Sequence, residues 1–79
     1  MPSSDRIPGP LYTEIRIVCD MMLKTHYYEE ANWLWMAVGS RAACGSRSAQ
    51  KALESAEKVS REFGFPNVAK WVRTDVLTD

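Results

Sequence analysis

The sequence predicts an all-α fold: a compact bundle of about four short helices behind a disordered N-terminal arm. Three observations carry that expectation. Residues 48–63 repeat small and apolar side chains at helical spacing, and Gly64-Phe65-Pro66 stops them sharply. Residues 27–38 hold four of the eight aromatic side chains and also run at helical spacing. Residues 11–22 place Leu11, Ile15, Val18, Cys19 and Met22 on one helical face.

The arm is residues 1–10, which contain Pro2, Pro8, Pro10 and Gly9, and Pro10 is suited to the first turn of a helix. Residues 11–79 form the single helical domain, since a chain of 79 residues is near the lower limit for one self-sufficient core. Three Trp, three Tyr and two Phe supply the bulk that so small a core needs.

The first helix is expected over residues 11–24, with Ile17 and Met21 forming a second, narrower stripe on its far side. It cannot continue straight into the next helix. The two apolar stripes would then sit roughly 160° apart, and one rod cannot bury both against one core. A turn near Lys24-Thr25-His26 resolves this, with Thr25 as N-cap of the second helix.

The second helix, residues 26–39, is the one around which the others pack. Tyr27, Ala31, Leu34, Trp35 and Val38 are its expected core face, with Tyr28 at the edge. Trp33 and Met36 fall on the opposite side, among Glu29 and Glu30. Those two carboxylates project about 100° apart, too far to act as a catalytic pair, and they complement the helix dipole. Gly39 ends the helix, and a loop through residue 47 follows in which Ser46 or Ser48 caps the third.

The third helix, residues 48–63, has an inner face of Ala49, Ala52, Leu53, Ala56, Val59, Ser60 and Phe63. Glu54–Lys58 and Glu57–Arg61 are expected on its outer face, Glu first, the favourable order. Gly64 takes the left-handed position after it, and Phe65 folds back on Val59 or Ser60. Asn67 is the expected cap of a fourth helix, residues 67–77, with Val68, Trp71, Val72 and Val76 on one face.

Composition narrows the function. Ten basic and ten acidic residues cancel, whereas a domain that lives by neutralising phosphates carries a positive excess. Two cysteines are too few for a disulfide scaffold, which predicts reduced thiols in a cytoplasmic setting. Residues 1–6 show no apolar h-region, and no stretch is apolar enough for a membrane span.

No Cys-x-x-Cys, phosphate loop or His-Glu-x-x-His is present, and His26 is the lone histidine. No metal, cofactor or enzymatic activity is expected. Cys44, between Arg41 and Arg47, reads either as an ordinary loop residue or as a thiol with depressed pKa.

Two surfaces remain as candidates. Trp33, Met36, Ile17 and Met21 offer the side chains that protein interfaces favour, unless they meet one another inside the monomer or complete the core of a homodimer. Residues 57–73 resemble part of a helix-turn-helix, in Arg61-Glu62-Phe63-Gly64 and in a Lys70-Trp71-Val72-Arg73 similar to transposase-type recognition helices. The spacing from Gly64 to Trp71 is about two residues shorter than that family pattern. That resemblance implies DNA contact by Arg61, Asn67, Lys70 and Arg73.

Over residues 11–77 the chain as a whole resembles very small, neutral, all-helical regulators carried on bacterial mobile genetic elements. It is similar in size and texture to the quorum-sensing antiactivators of rhizobial symbiosis islands. The resemblance implies a regulator of transcription that binds activators directly and holds them inactive, without catalysis or DNA contact. It carries no individual residue across.

Overall fold

The computed structural model describes residues 7–77. In chain order they form α1 (Gly9–Lys24), α2 (Tyr28–Gly39), a 3₁₀ turn (Arg41–Cys44), α3 (Arg47–Glu62) and α4 (Pro66–Trp71), which runs on into a π-helical turn (Val72–Val76). No strand occurs among the described residues, so the fold is all-α as expected. Each helix packs on the next in sequence, and α4 closes against α1. The radius of gyration is 11.4 Å, against about 11.6 Å for a compact chain of this length.

α1 starts at Gly9 because Pro8 and Pro10 fix the backbone of its first turn, where their missing N–H groups cost nothing. Ile7, just before it, packs on the core, so residues 7–10 do not belong to a loose arm. The rest of the expected arm, residues 1–6, and the last two residues lie outside the described residues. Ile15, Val18, Cys19 and Met22 are buried and Leu11 is half-buried, which is the expected face. Each fully buried aliphatic of that size contributes about 1.5–3 kcal/mol.

The break between α1 and α2 falls where expected, but its chemistry differs. Thr25 does not cap α2. It closes α1, donating its hydroxyl to the carbonyls of Met21 (2.8 Å) and Met22 (3.3 Å). His26 follows in the left-handed region at φ 70°. Its N–H bonds Leu23 O (3.3 Å), and Tyr27 N–H bonds Met22 O (2.7 Å). That is a Schellman closure with histidine in the place usually held by glycine. α2 begins without a side-chain cap, and Glu29 and Glu30 in its first turn complement the dipole.

The buried side of α2 is Ala31, Leu34 and Ala37, with Val38 and Trp33 half-buried against the core. Trp35 and Tyr27, expected in the core, are exposed instead. The helix is turned by about 60° from the expected face at 100° per residue. Ser55 of α3 donates to Glu30 of α2 at 2.7 Å.

α3 follows the sequence closely. Ser46 accepts from Ala49 N–H (3.2 Å) as its N-cap, and the whole expected inner face is buried except half-buried Phe63. Its end is a second Schellman closure. Gly64 sits at φ 93°, its N–H on Arg61 O (3.1 Å), with Phe65 N–H on Ser60 O (2.9 Å). Glu57 departs from expectation: it is buried rather than on the outer face.

α4 opens on Pro66 rather than on an Asn67 cap. Val68, Trp71, Val72 and Val76 are buried together as expected. The α-helix lasts only six residues before the π-helical turn, so the expected single helix to residue 77 is divided.

Candidate protein-binding site

The burial pattern leaves the exposed large apolar side chains on the first two helices and the turn between them. Seven large apolar residues are exposed among the described residues: Tyr12, Ile17, Leu23, Tyr27, Tyr28, Trp35 and Met36. All seven belong to α1, α2 or the turn between them, and none to α3 or α4. Apolar exposure concentrated on one pair of helices marks an interaction surface more often than scattered single side chains do.

The geometry of the face follows from the way α1 and α2 pack. Tyr12 of α1 meets Trp35 of α2 edge to face, ring centroids 5.9 Å apart. Beside them a hollow of about 480 Å³ is lined by Thr13, Arg16, Ile17, Asp20, Leu23 and Trp35. Trp35 is 37 % exposed and Tyr28, one helical stretch earlier, 57 %. Asp20 pairs with Lys24 at 3.2 Å on the same exposed face, a contact worth little in water. Tyr27 leans the other way, onto Phe63 (6.4 Å between centroids).

Of the four side chains singled out from sequence for partner binding, Ile17 and Met36 are exposed. Trp33 and Met21 are half-buried, and Trp33 packs against the core. Only Ile17 lines the hollow with Trp35. Trp35, not Trp33, is the tryptophan exposed beside Ile17. Periodicity offered no way to choose, because apolar residues surround α2 on every side.

The residues singled out for DNA contact line two different hollows. Arg61 and Arg73 both bind the buried Glu57 carboxylate, at 3.0 Å and 2.6 Å. Asn67 and Lys70 instead border a cleft of about 430 Å³ with Leu11, Glu14 and Trp71. Trp71 and Val72, the middle of the Lys-Trp-Val-Arg segment, are buried, while Asn67, Lys70 and Arg73 are exposed.

Burial pushes the Glu57 carboxyl up, but hydrogen bonds and charge from Arg73 and Arg61 outweigh it. The net effect holds Glu57 below its ordinary value.

The remaining reactive groups are quiet. Cys19 and Cys44 are both free and buried. Burial pushes the Cys19 thiol up to about 12 and raises that of Cys44, so the depressed pKa considered for Cys44 does not occur. His26 sits exposed in the turn, its Nδ1 2.8 Å from the Tyr28 hydroxyl. No cluster of metal-ligating side chains occurs among the described residues. No described helix is long and apolar enough to cross a membrane. Comparison with protein-family models, curated proteins and solved structures finds no match.

Proposed function

We propose that the chain is a non-catalytic protein-binding regulator that sequesters a larger partner through the α1–α2 face. The observation that carries this reading is the confinement to that hairpin of all seven large apolar residues exposed among the described residues. Trp35 and Ile17 are the anchors, Tyr12 and Leu23 border them, and Arg16 and Asp20 form a polar edge. The resemblance to small antiactivators suggests a transcriptional activator as the partner, in the cytoplasm. No cofactor enters the mechanism. Binding alone would keep the activator from its own site.

The test is whether capture of a regulator from the native host depends on Trp35. A homodimer through the same face would show itself as a melting temperature that rises with protein concentration. A DNA-binding protein would show duplex binding that falls steeply with salt and with neutralisation of Lys70 or Arg73. Against that alternative, Arg61 and Arg73 are already paired with Glu57.

A further inference from the structure

Zero net charge conceals an uneven distribution. Residues 7–39 carry two Lys or Arg against four carboxylates, and residues 40–77 carry seven against four. Part of that excess gathers on the outer side of α3, around a hollow of about 440 Å³. Lys51, Lys58, Arg61 and Arg73 line it, with Glu54 and Glu57.

The two guanidiniums there are not ordinary surface arginines. Arg61 comes from α3 and Arg73 from the π-helical turn, yet each donates to a separate oxygen of the one Glu57 carboxylate. Glu57 has a side chain only 8 % exposed, while the side chains of Arg61 and Arg73 remain 58 % and 60 % exposed. A buried acid thus holds two cations side by side at the surface. Each guanidinium keeps donors free for a further acceptor. Arg73 lies in the π-helical turn Val72–Val76, and such turns are frequent at functional sites.

We propose that Arg61 and Arg73, positioned by Glu57 and flanked by Lys51 and Lys58, form a clamp for the carboxylates of an acidic protein segment. Planar guanidinium forks match carboxylate geometry, and two held on one carboxylate can engage neighbouring Asp or Glu side chains. The site favours a peptide over a nucleic-acid backbone because Glu54 stands exposed beside the lysines. A continuous run of phosphates would have to pass over it, whereas a peptide can set an uncharged residue there. The clamp shares no residue with the hollow of the α1–α2 face, so it does not depend on the function proposed for that face.

The probe is an acetylated hexaglutamate peptide with a terminal fluorophore, titrated by anisotropy at low salt beside a labelled DNA duplex. The proposal expects the peptide to bind at least fivefold more weakly to Arg73→Gln and Arg61→Gln, and to move the Arg61 and Arg73 side-chain N–H resonances. Glu57→Gln is the discriminating variant. It makes the surface more positive by one charge, so simple attraction predicts tighter binding, while the clamp predicts binding at least threefold weaker in a variant whose circular dichroism is unchanged. Tighter binding by Glu57→Gln, or indifference to Arg73→Gln, overturns the proposal. So does a duplex that binds more tightly than the peptide. Trp35→Ala is expected to leave the peptide affinity as it is, which separates a failure here from a failure of the α1–α2 reading.

Discussion

Arg73 reaches back 16 residues from the π-helical turn to donate to Glu57 at 2.6 Å, and that bond ties the end of the chain to the middle of α3. The carboxylate is buried and has a second donor in Arg61, so its loss leaves a polar site without its charge. Glu57→Gln is expected to cost about 1–2 kcal/mol, the low end for charge-assisted bonds because both arginines are largely in water. In a domain of this size that is a fall in melting temperature of about 4–8 °C per kcal/mol. Its folded pKa lies below the ordinary 4.5, so the Glu57 contribution is present above that value and disappears as pH falls through the lowered one. The gap between wild type and variant should therefore be full at pH 7 and close as the pH falls from 4.5 through the lowered value.

Ser60 offers the opposite case. Its hydroxyl is fully buried and has no hydrogen-bond partner. Removing an unsatisfied polar atom from a core relieves a desolvation cost. Ser60→Ala is expected to leave stability unchanged or raise it by up to about 1 kcal/mol, read by urea unfolding. A loss of more than about 1 kcal/mol would mean that the hydroxyl has a partner after all.

The two helix ends make a matched pair. Gly64 and His26 occupy the same left-handed position in the same closure, but only glycine does so without strain. A Cβ at Gly64 would meet nothing within 4 Å, so Gly64→Ala tests backbone strain alone. It is expected to destabilise by about 1 kcal/mol. His26→Gly should stabilise by up to about 1 kcal/mol, and His26→Val, β-branched, should destabilise. Thermal unfolding of the three variants checks the set.

The thiols report on opening of the fold. With Cys19 pushed up to about 12 and Cys44 raised, modification by a thiol reagent at neutral pH should track unfolding rather than proceed from the native state. The folded pKa of Cys19 is raised, so its contribution holds below about 9 and is lost as pH rises towards 12. Rapid reaction of either thiol in the native protein would contradict the burial.

Much of this architecture was legible in the sequence, and the exceptions have identifiable physical causes. α3 is polar on one side and apolar on the other, so its face, its Ser46 cap and its Gly64 stop could all be read. α1 was readable for the same reason. α2 was not, because Tyr27, Tyr28, Trp33, Trp35 and Met36 surround it and no polar side orients it. Only the docking of α1 and α3 decides that Leu34 and Ala37 go inward and Trp35 outward. Thr25 can serve at either helix end, since a hydroxyl both donates and accepts. The burial of Glu57 depends on Arg73, a contact across 16 residues that no local pattern announces.

The division between Trp33 and Trp35 is the central claim. Trp33 packs on the core, and Trp33→Ala is expected to cost about 2–3 kcal/mol, below the full cost of a buried tryptophan because it is only half-buried. Trp35 meets Tyr12 at the surface, and Trp35→Ala should cost about 1 kcal/mol or less. Partner binding should respond in the reverse order, with Trp35→Ala losing 2 kcal/mol or more, in the hot-spot range of roughly that size.

The most direct measurement is a nuclease-treated pull-down from the native host with wild type, Trp35→Ala and Ile17→Ala side by side, each first shown to be folded by circular dichroism. The account predicts one regulator recovered by wild type and depleted at least tenfold in both variants. The same regulator recovered undiminished by Trp35→Ala and Ile17→Ala would contradict it, and the α1–α2 face would lose its role.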